Sequence, residues 1–235
     1  MMFLMTLLYI SIGLLSMQPF EDGKHLFILS GQSNMVRLDP DDSFIPVLAD
    51  HFGRDNIIVV KYAMGAQPIS RWYNDWVSTD GNKPDVRGDL YGVLMNNVGQ
   101  EIAGQTISSV TFIWVQGERD ARIKEGKVYK QSLRGLIDQL KSDLKKEDLN
   151  TVIARLSDFD MENERWPHWT LIRTVQKEIA KNDASIELVN TDDLNSGFNA
   201  NGDKVIDDLH YTVEGYKKLG ERCAKEAIYL IDGID

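Results

Sequence analysis

The feature that most constrains the fold is the alternation of short apolar runs with longer amphipathic segments. Residues 57–60 form a continuous apolar run, which is typical of a strand buried on both faces. Between residues 128 and 144 the apolar residues instead recur at helical spacing and form one stripe. Strands that alternate with helices favour right-handed crossovers and a mainly parallel sheet covered on both faces. The sequence therefore predicts an α/β fold.

The same reasoning divides the chain into elements. Five strands are predicted, at residues 25–30, 56–63, 109–115, 151–156 and 186–190. Helices are predicted at residues 90–102, 128–144, 169–180 and 212–231, with a weaker one at 44–52.

Small or polar turns follow several of these strands. The turns that contain Ser33, Gly65 and Gln116 come after the first three strands, and a polar loop that ends at His210 follows the fifth. In an open parallel sheet the ligand crevice lies beyond the carboxyl ends of the strands. We therefore expect these four segments to converge at one edge of the sheet.

Length and charge limit the function classes. The chain has 235 residues and a formal net charge of −10, which predicts one acidic globular domain from residue 24 to 235. An acidic surface argues against nucleic acid and against a stable membrane partner. The single cysteine, Cys223, excludes an internal disulfide and a cysteine metal site, and we expect it to be buried in the last helix.

The N-terminus is a separate segment in this interpretation. Residues 3–17 are almost wholly apolar, as in the core of a secretory signal peptide, although no Lys or Arg precedes them. We predict a signal peptide within residues 1–23, cleaved between Ser16 and Gly23, and a secreted or periplasmic protein. The alternative is an uncleaved membrane anchor.

The chain offers one set of residues for nucleophilic catalysis. Ser33 lies in a turn directly after a strand, where its hydroxyl is exposed and rigidly held. Asp207 precedes His210 by three residues, a spacing that lets the carboxylate orient the imidazole as a base for the serine. The other three histidines have no such setting. Taken singly, each signal has a simpler explanation: Ser33 as a helix N-cap, and the acidic residues as partners of a helix dipole.

Acyl transfer also needs donors for an oxyanion. The candidates are the backbone N–H groups of Ser33 and Gly65 and the side-chain amide of Gln116, although Gly65 also suits an ordinary turn. The nucleophile elbow of α/β-hydrolases, a phosphate loop, a dinucleotide fingerprint and an EF-hand are all missing from the sequence. We therefore expect no cofactor and no metal.

Three segments together resemble a known superfamily. The sequence Gly-Gln-Ser-Asn-Met at 31–35, Gln-Gly-Glu at 116–118 and the segment 207–210 are similar to the signature blocks of SGNH hydrolases, in the branch of sialate O-acetylesterase-like, carbohydrate esterase family 6-type proteins. The resemblance implies a flavodoxin-like three-layer α/β/α sandwich with a mainly parallel five-stranded sheet. It also implies that Ser33 is the nucleophile, His210 the base and Asp207 its orienting acid, with Ser33, Gly65 and Gln116 forming the oxyanion hole.

The expected activity is removal of O-acetyl groups from a carbohydrate, such as acetylated xylan or O-acetylated sialic acid. Two alternatives stay open: a lipid esterase or thioesterase on the same fold, and a carbohydrate-binding protein without turnover. Arg119 departs from the branch, which usually has a small polar residue after Gln-Gly-Glu. The tryptophans in or beside loops suggest aromatic surfaces for sugar rings. Candidate substrate contacts are Gln32, Asn34, Glu118, Arg119 and Trp72.

Overall fold

The computed structural model describes residues 23–233. The apolar run at 3–17 and almost all of the predicted cleavage interval lie outside this range. Within it, no helix is both long enough and apolar enough to cross a membrane.

The described residues form a five-stranded sheet in which every pair of neighbouring strands is parallel, in the order β2-β1-β3-β4-β5. The strands are β1 (Lys24–Gly31), β2 (Ile57–Ala63), β3 (Ile107–Val115), β4 (Asn150–Ala154) and β5 (Ile186–Val189). A small antiparallel hairpin, β6 (Gly197–Phe198) and β7 (Lys204–Val205), follows β5.

Helices cover both faces of the sheet. They are α1 (Ser33–Arg37), α2 (Phe44–Phe52), α3 (Asp89–Glu101), α4 (Glu118–Arg122), α5 (Gly126–Leu144), α6 (Trp169–Lys181) and α7 (Val213–Asp232). The side chains of β1 alternate between the two cores. Leu26 and Ile28 pack with α3, α5 and α6, whereas Phe27 and Leu29 pack with α2 and α7. This is the three-layer α/β/α sandwich of SGNH hydrolases.

The predicted elements agree with the structure to within about two residues at most boundaries, and Cys223 is buried as expected. The sequence missed α1, α4 and the hairpin of β6 and β7. These elements have two to five residues each. Such segments are too short to show a hydrophobic period, and short helices depend on tertiary contacts for their stability.

The strand order locates the crevice. From β1 the chain first moves outward to β2 and then crosses to the other side of β1 to form β3. In a sheet of this order the ligand crevice lies at this reversal, outside the carboxyl ends of β1 and β3. Ser33 and Gln116 directly follow those two strand ends.

Candidate active site

Gly31 sets the turn after β1. Its φ is 144°, and a Cβ at this position would lie 2.0 Å from the carbonyl oxygen of Val115 in β3. Only glycine fits, because any side chain would clash with the backbone of the neighbouring strand. The next residue, Gln32, donates its N–H to the same oxygen at 3.0 Å. The turn therefore places Ser33 as the first residue of α1, at the edge shared by β1 and β3.

Ser33 lies beside His210. The distance from the serine Oγ to the imidazole Nε2 is 3.1 Å, although 177 residues separate the two along the chain. His210 lies two residues before Thr212, the N-cap of α7, whose hydroxyl accepts a hydrogen bond from the N–H of Gly215 at 2.9 Å. Both members of the pair are half-buried. The geometry permits transfer of the hydroxyl proton to the imidazole.

Burial and a nearby positive charge favour the neutral form of the imidazole. Burial lowers the pKa of His210 below its ordinary value of 6.5, and the positive charge of Arg37 lowers it further, whereas Asp208 acts in the opposite direction. A neutral ring with a free lone pair is the form that can accept a proton.

The two neighbouring aspartates differ in their contacts. Asp207 is exposed, with φ at 48°; its carboxylate accepts a hydrogen bond from the Ser196 hydroxyl at 3.2 Å. Asp208 accepts a hydrogen bond from the backbone N–H of His210 at 2.8 Å. In the described part of the chain, neither carboxylate forms a hydrogen bond with the imidazole Nδ1. The structure thus brings Asp208 to the backbone of His210 and turns Asp207 toward Ser196.

The predicted oxyanion donors lie at the same edge. A Cβ on Gly65 would lie 3.9 Å from the Cβ of Ser33, so the turn after β2 closely approaches the serine. Because Ser33 opens α1, its N–H is one of those that a helix start leaves without an intrahelical acceptor. The structure therefore brings the backbone of Gly65 and the first N–H of α1 to the same edge as the Ser33 hydroxyl.

Gln116 reaches this edge with its amide already engaged. Its Nε2 donates to Asp120 at 2.5 Å and to the carbonyl oxygen of Gln67 at 3.2 Å. Asp120 also accepts a hydrogen bond from the N–H of Ile69 at 2.9 Å. Burial raises the pKa of Asp120 to about 7, and these hydrogen bonds oppose that shift. For Gln116 to stabilise an oxyanion, one amide hydrogen would have to leave its present acceptor.

The structure contradicts three of the predicted substrate contacts. Gln32, Asn34 and Glu118 are 1–2% exposed, and their polar atoms face the protein. The Oε1 of Gln32 accepts a hydrogen bond from the N–H of Arg119 at 3.0 Å, and that of Glu118 accepts one from Asn34 at 2.8 Å. Burial raises the pKa of Glu118 to about 7. These side chains form hydrogen bonds that connect the turns of the site. Arg119 is half-buried and stays a predicted substrate contact.

Three of the four tryptophans expected at an aromatic surface are buried, and only Trp166 is partly exposed. Trp72 is fully buried and packs edge-on against Trp114 of β3, with ring centroids 5.3 Å apart. Trp76 and Trp169 are buried as well, and Trp166 packs against Trp169. Burial of a large apolar side chain is strongly favourable, so a tryptophan can pack into the core even where the sequence places it near a loop. No sugar ring can stack on Trp72 from solvent.

Sequence reasoning missed one polar residue at the site. Tyr216 lies at helical spacing with the apolar residues of α7, but its hydroxyl donates to Asn34 Oδ1 at 2.8 Å and accepts a hydrogen bond from the N–H of Tyr211 at 3.3 Å. Helical spacing alone placed it on the buried face and gave no sign of these partners.

A cavity of about 510 Å³ adjoins the histidine segment. Its wall includes Tyr211, the neighbour of His210, and Tyr216. Apolar atoms form the larger part of its surface, and six of its ten lining residues carry charged or amide side chains: Arg37, Asp39, Asp42, Asn199, Asn201 and Lys217. Such a lining offers hydrogen-bond donors and acceptors to a hydroxylated ligand.

Among residues 23–233, no group of three or more His, Cys, Asp or Glu side chains is arranged to hold a metal ion. The parallel sheet in the order 2-1-3-4-5, with a serine and a histidine in contact at its switch point, agrees with the fold that the sequence resemblance implies.

Comparison with known proteins identifies the family. The family model for carbohydrate esterases described as sialic acid-specific acetylesterases matches residues 36–229. The chain belongs to this family and is an esterase. The matched range includes His210 and begins three residues after Ser33. No curated protein matches the chain.

Solved structures show the same fold. A protein of Arabidopsis thaliana has a TM-score of 0.65 and 17% identity, over 88% of this chain and 98% of that one. A carbohydrate acetylesterase of Xanthomonas citri has a TM-score of 0.61 and 15% identity; 89% of this chain matches 57% of that protein. A family 3 carbohydrate esterase of Clostridium thermocellum has a TM-score of 0.51 and 15% identity, with 89% and 98% covered.

Proposed function

We propose that this esterase removes O-acetyl groups from a carbohydrate through an acyl-enzyme intermediate on Ser33. The observation that carries the proposal is the 3.1 Å contact between the Ser33 hydroxyl and His210 at the switch point of the sheet. The family to which the chain belongs supplies the class of ester.

In this mechanism the Ser33 oxygen attacks the acetyl carbonyl carbon while the hydroxyl proton moves to His210 Nε2. The N–H groups of Ser33 and Gly65 stabilise the negative oxygen of the tetrahedral intermediate. When the intermediate collapses, His210 returns the proton to the departing sugar oxygen. Water then attacks the acetyl-serine with His210 again as base, which releases acetate and regenerates the hydroxyl.

Two roles complete the proposal. Asp207 is our candidate for the acid that orients the imidazole, because it occupies the motif position; its carboxylate would have to leave Ser196 to reach Nδ1. Asp208 is the competing candidate, since it already contacts the backbone of His210. Gln116 would serve as a third oxyanion donor after exchanging its contact with Gln67.

The proposed substrate is acetylated polysaccharide such as xylan, or O-acetylated sialic acid. The cavity beside Tyr211 offers six charged or amide side chains as hydrogen-bond partners for the hydroxyl groups of a sugar. The alternative function, a lipid esterase or thioesterase, differs from this one in the acyl chain that it should prefer.

An acyl-chain series tests this function. Purified protein is assayed on p-nitrophenyl esters from acetate to octanoate, and acetate release is then measured from acetylated xylan and from O-acetylated sialic acid. We expect the highest kcat/KM for acetate and release of acetate from at least one glycan. Each additional methylene should change kcat/KM by an amount equivalent to about 1–3 kcal/mol. Preference for octanoate, with no acetate released from either glycan, would favour the lipid esterase.

We also propose that residues 24–235 form one catalytic domain that is exported. The apolar run at 3–17 supports export. Expression of the full chain with N-terminal sequencing of the exported product tests this: cleavage between Ser16 and Gly23 is expected, and retention of the intact N-terminus in the membrane would indicate an anchor.

A further inference from the structure

The backbone on both sides of His210 is held by side chains of two other elements. On one side, the carbonyl oxygen of Leu209 accepts a hydrogen bond from Asn34 Nδ2 at 3.2 Å. On the other side, the N–H of Tyr211 donates to the hydroxyl of Tyr216 at 3.3 Å. The two side chains are joined to each other, because the Tyr216 hydroxyl donates to Asn34 Oδ1 at 2.8 Å.

The side chain of Asn34 is saturated by these contacts. Its two amide hydrogens go to Leu209 and to Glu118, and its oxygen receives the tyrosine hydroxyl. These partners fix the amide orientation, since the nitrogen faces two acceptors and the oxygen faces a donor. Asn34 is 2% exposed, so water cannot replace a lost partner. Because Asn34 follows Ser33 directly, the contacts tie the histidine segment to the helix that carries the nucleophile.

The rest of the histidine segment is anchored elsewhere. Its other described hydrogen bonds to distant residues go to residues 194–196, which lie in the same connection between β5 and α7. They join Asp207 to Ser196, Asp208 to Asn195 and Thr212 to Leu194. These hydrogen bonds lie within the connection between β5 and α7 and do not join it to α1. Among the described hydrogen bonds, those of Asn34 with Leu209 and Tyr216 and that between Ser33 and His210 connect the segment to α1, beside the packing of Tyr211 in the same apolar core as Met35.

We propose that Asn34 and Tyr216 form a clamp on the backbone of 209–211, and that Tyr216 is a positioning residue that sets the distance between His210 and Ser33. The clamp acts on the backbone, whereas an acidic partner on Nδ1 would orient the ring. Burial raises the pKa of Tyr216 above its ordinary value, so its hydroxyl stays protonated and continues to donate to Asn34. This inference rests on the proposed function, since it assigns a role within that catalytic pair.

The test is Tyr216→Phe, which removes the hydroxyl and retains the ring. Because small misplacements of a catalytic group are costly, we expect kcat on p-nitrophenyl acetate to fall about 10- to 100-fold with KM within about twofold. Tyr91→Phe is the matched control. Tyr91 is also buried and loses a 2.6 Å hydrogen bond, to Asp143, but it lies in α3 away from the site. Its kcat should stay within about twofold of the unmutated protein.

A double-mutant cycle separates positioning from general loss of structure. If Tyr216 acts through His210, Tyr216→Phe should cost less than about twofold in a His210→Ala background, because residues that act as a unit are not additive. An equal loss in both backgrounds, or a kcat within twofold for Tyr216→Phe alone, would overturn the clamp.

Circular dichroism and thermal melting check that each variant is folded. If Tyr216→Phe does not fold, Asn34→Ser removes the same contact from the other side, and the cycle is repeated with it under the same criteria. Failure of the clamp is distinguishable from failure of the proposed function. In the first case the unmutated protein hydrolyses acetyl esters and the Tyr216 variant does so equally well; in the second, the unmutated protein itself releases no acetate.

Discussion

Ser33 and His210 are 3.1 Å apart, yet the chain fixes them by different means. Ser33 follows a strand that pairs with β2 and β3 along its whole length, and Gly31 ties the turn to the backbone of β3. His210 lies near the end of the long connection between β5 and α7, whose described residues contain only the hairpin of β6 and β7 as regular secondary structure. Main-chain pairing therefore places the nucleophile in the sheet, whereas the segment that carries the base is hydrogen-bonded to α1 only through side chains among the described residues.

This difference indicates which substitutions should disturb the position of Ser33 and which should disturb the position of His210. Register in a parallel sheet is specified by many hydrogen bonds and a buried face, so the serine turn resists single substitutions except where its backbone conformation is special. The histidine segment depends on a few contacts with individual side chains. Its geometry should thus be sensitive to conservative changes that leave the overall stability of the protein almost unaltered.

The largest effect is expected at His210. His210→Ala removes the proton acceptor and should lower kcat about 10³-fold or more, as loss of a triad member does in other serine hydrolases. Asp207→Asn should cost less, since it disorients the base without deleting it. Steady-state kinetics on p-nitrophenyl acetate measure these two variants and Asp208→Asn. A larger loss for Asp208→Asn than for Asp207→Asn would show that the acidic partner is misassigned.

On the serine side, Gly31→Ala should damage the fold itself. The added Cβ would clash with the Val115 carbonyl oxygen and force an unfavourable φ, so we expect a loss of more than about 2 kcal/mol in the free energy of unfolding. Gly92→Ala, in α3 with open space around it, should instead gain about 0.5–1 kcal/mol. Urea titrations compare the two variants; a Gly31 variant as stable as the unmutated protein would contradict the role of this turn.

A smaller effect is expected in the pH dependence of kcat/KM, which reports the protonation of His210. Because the pKa of His210 is lowered, kcat/KM should fall on the acid side with a midpoint below 6.5, as the ring becomes protonated. Arg37→Gln removes a positive charge that opposes protonation, so the midpoint should move to higher pH. Arg54→Gln, the same charge change in the exposed turn before β2, should leave it in place. A midpoint that does not move with Arg37 would assign the titration to another group.

The smallest expected effect is that of a chelator. The proposed chemistry uses only serine, histidine and backbone donors, so we predict that dialysis against EDTA leaves kcat unchanged. Loss of activity that is restored by one added metal would contradict this and would require a ligand set outside the proposed mechanism.

The surroundings of Ser33 and of His210 also differ in how well the sequence predicts them. Runs such as β1 and β3 carry a local apolar pattern, so the sheet and the position of Ser33 at its edge follow from the sequence. The contact between Asn34 and Tyr216 spans 182 residues and has no local pattern. Trp72 was misjudged for the same reason: its position near a loop is local, but its burial against Trp114 is tertiary.

The adjacent pair Asp207 and Asp208 shows a further limit. Both the spacing and the family motif indicate Asp207, because a residue three positions before a histidine can reach its ring in a single turn. The left-handed backbone at Asp207 instead directs this carboxylate to Ser196. The motif therefore predicts that an acidic residue lies close to His210 in the chain, but it does not predict the hydrogen bonds that each carboxylate makes.

The central claim is that Ser33 carries the acyl group, and trapping the acyl-enzyme tests it most directly. The protein is mixed with p-nitrophenyl acetate, quenched in acid within the first turnover, digested and analysed by mass spectrometry. The account predicts one added acetyl group on the peptide that contains Ser33, a matching burst of nitrophenol, and neither signal in Ser33→Ala. An acetylated peptide elsewhere in the chain, or a folded Ser33→Ala protein with near-normal turnover, would contradict it.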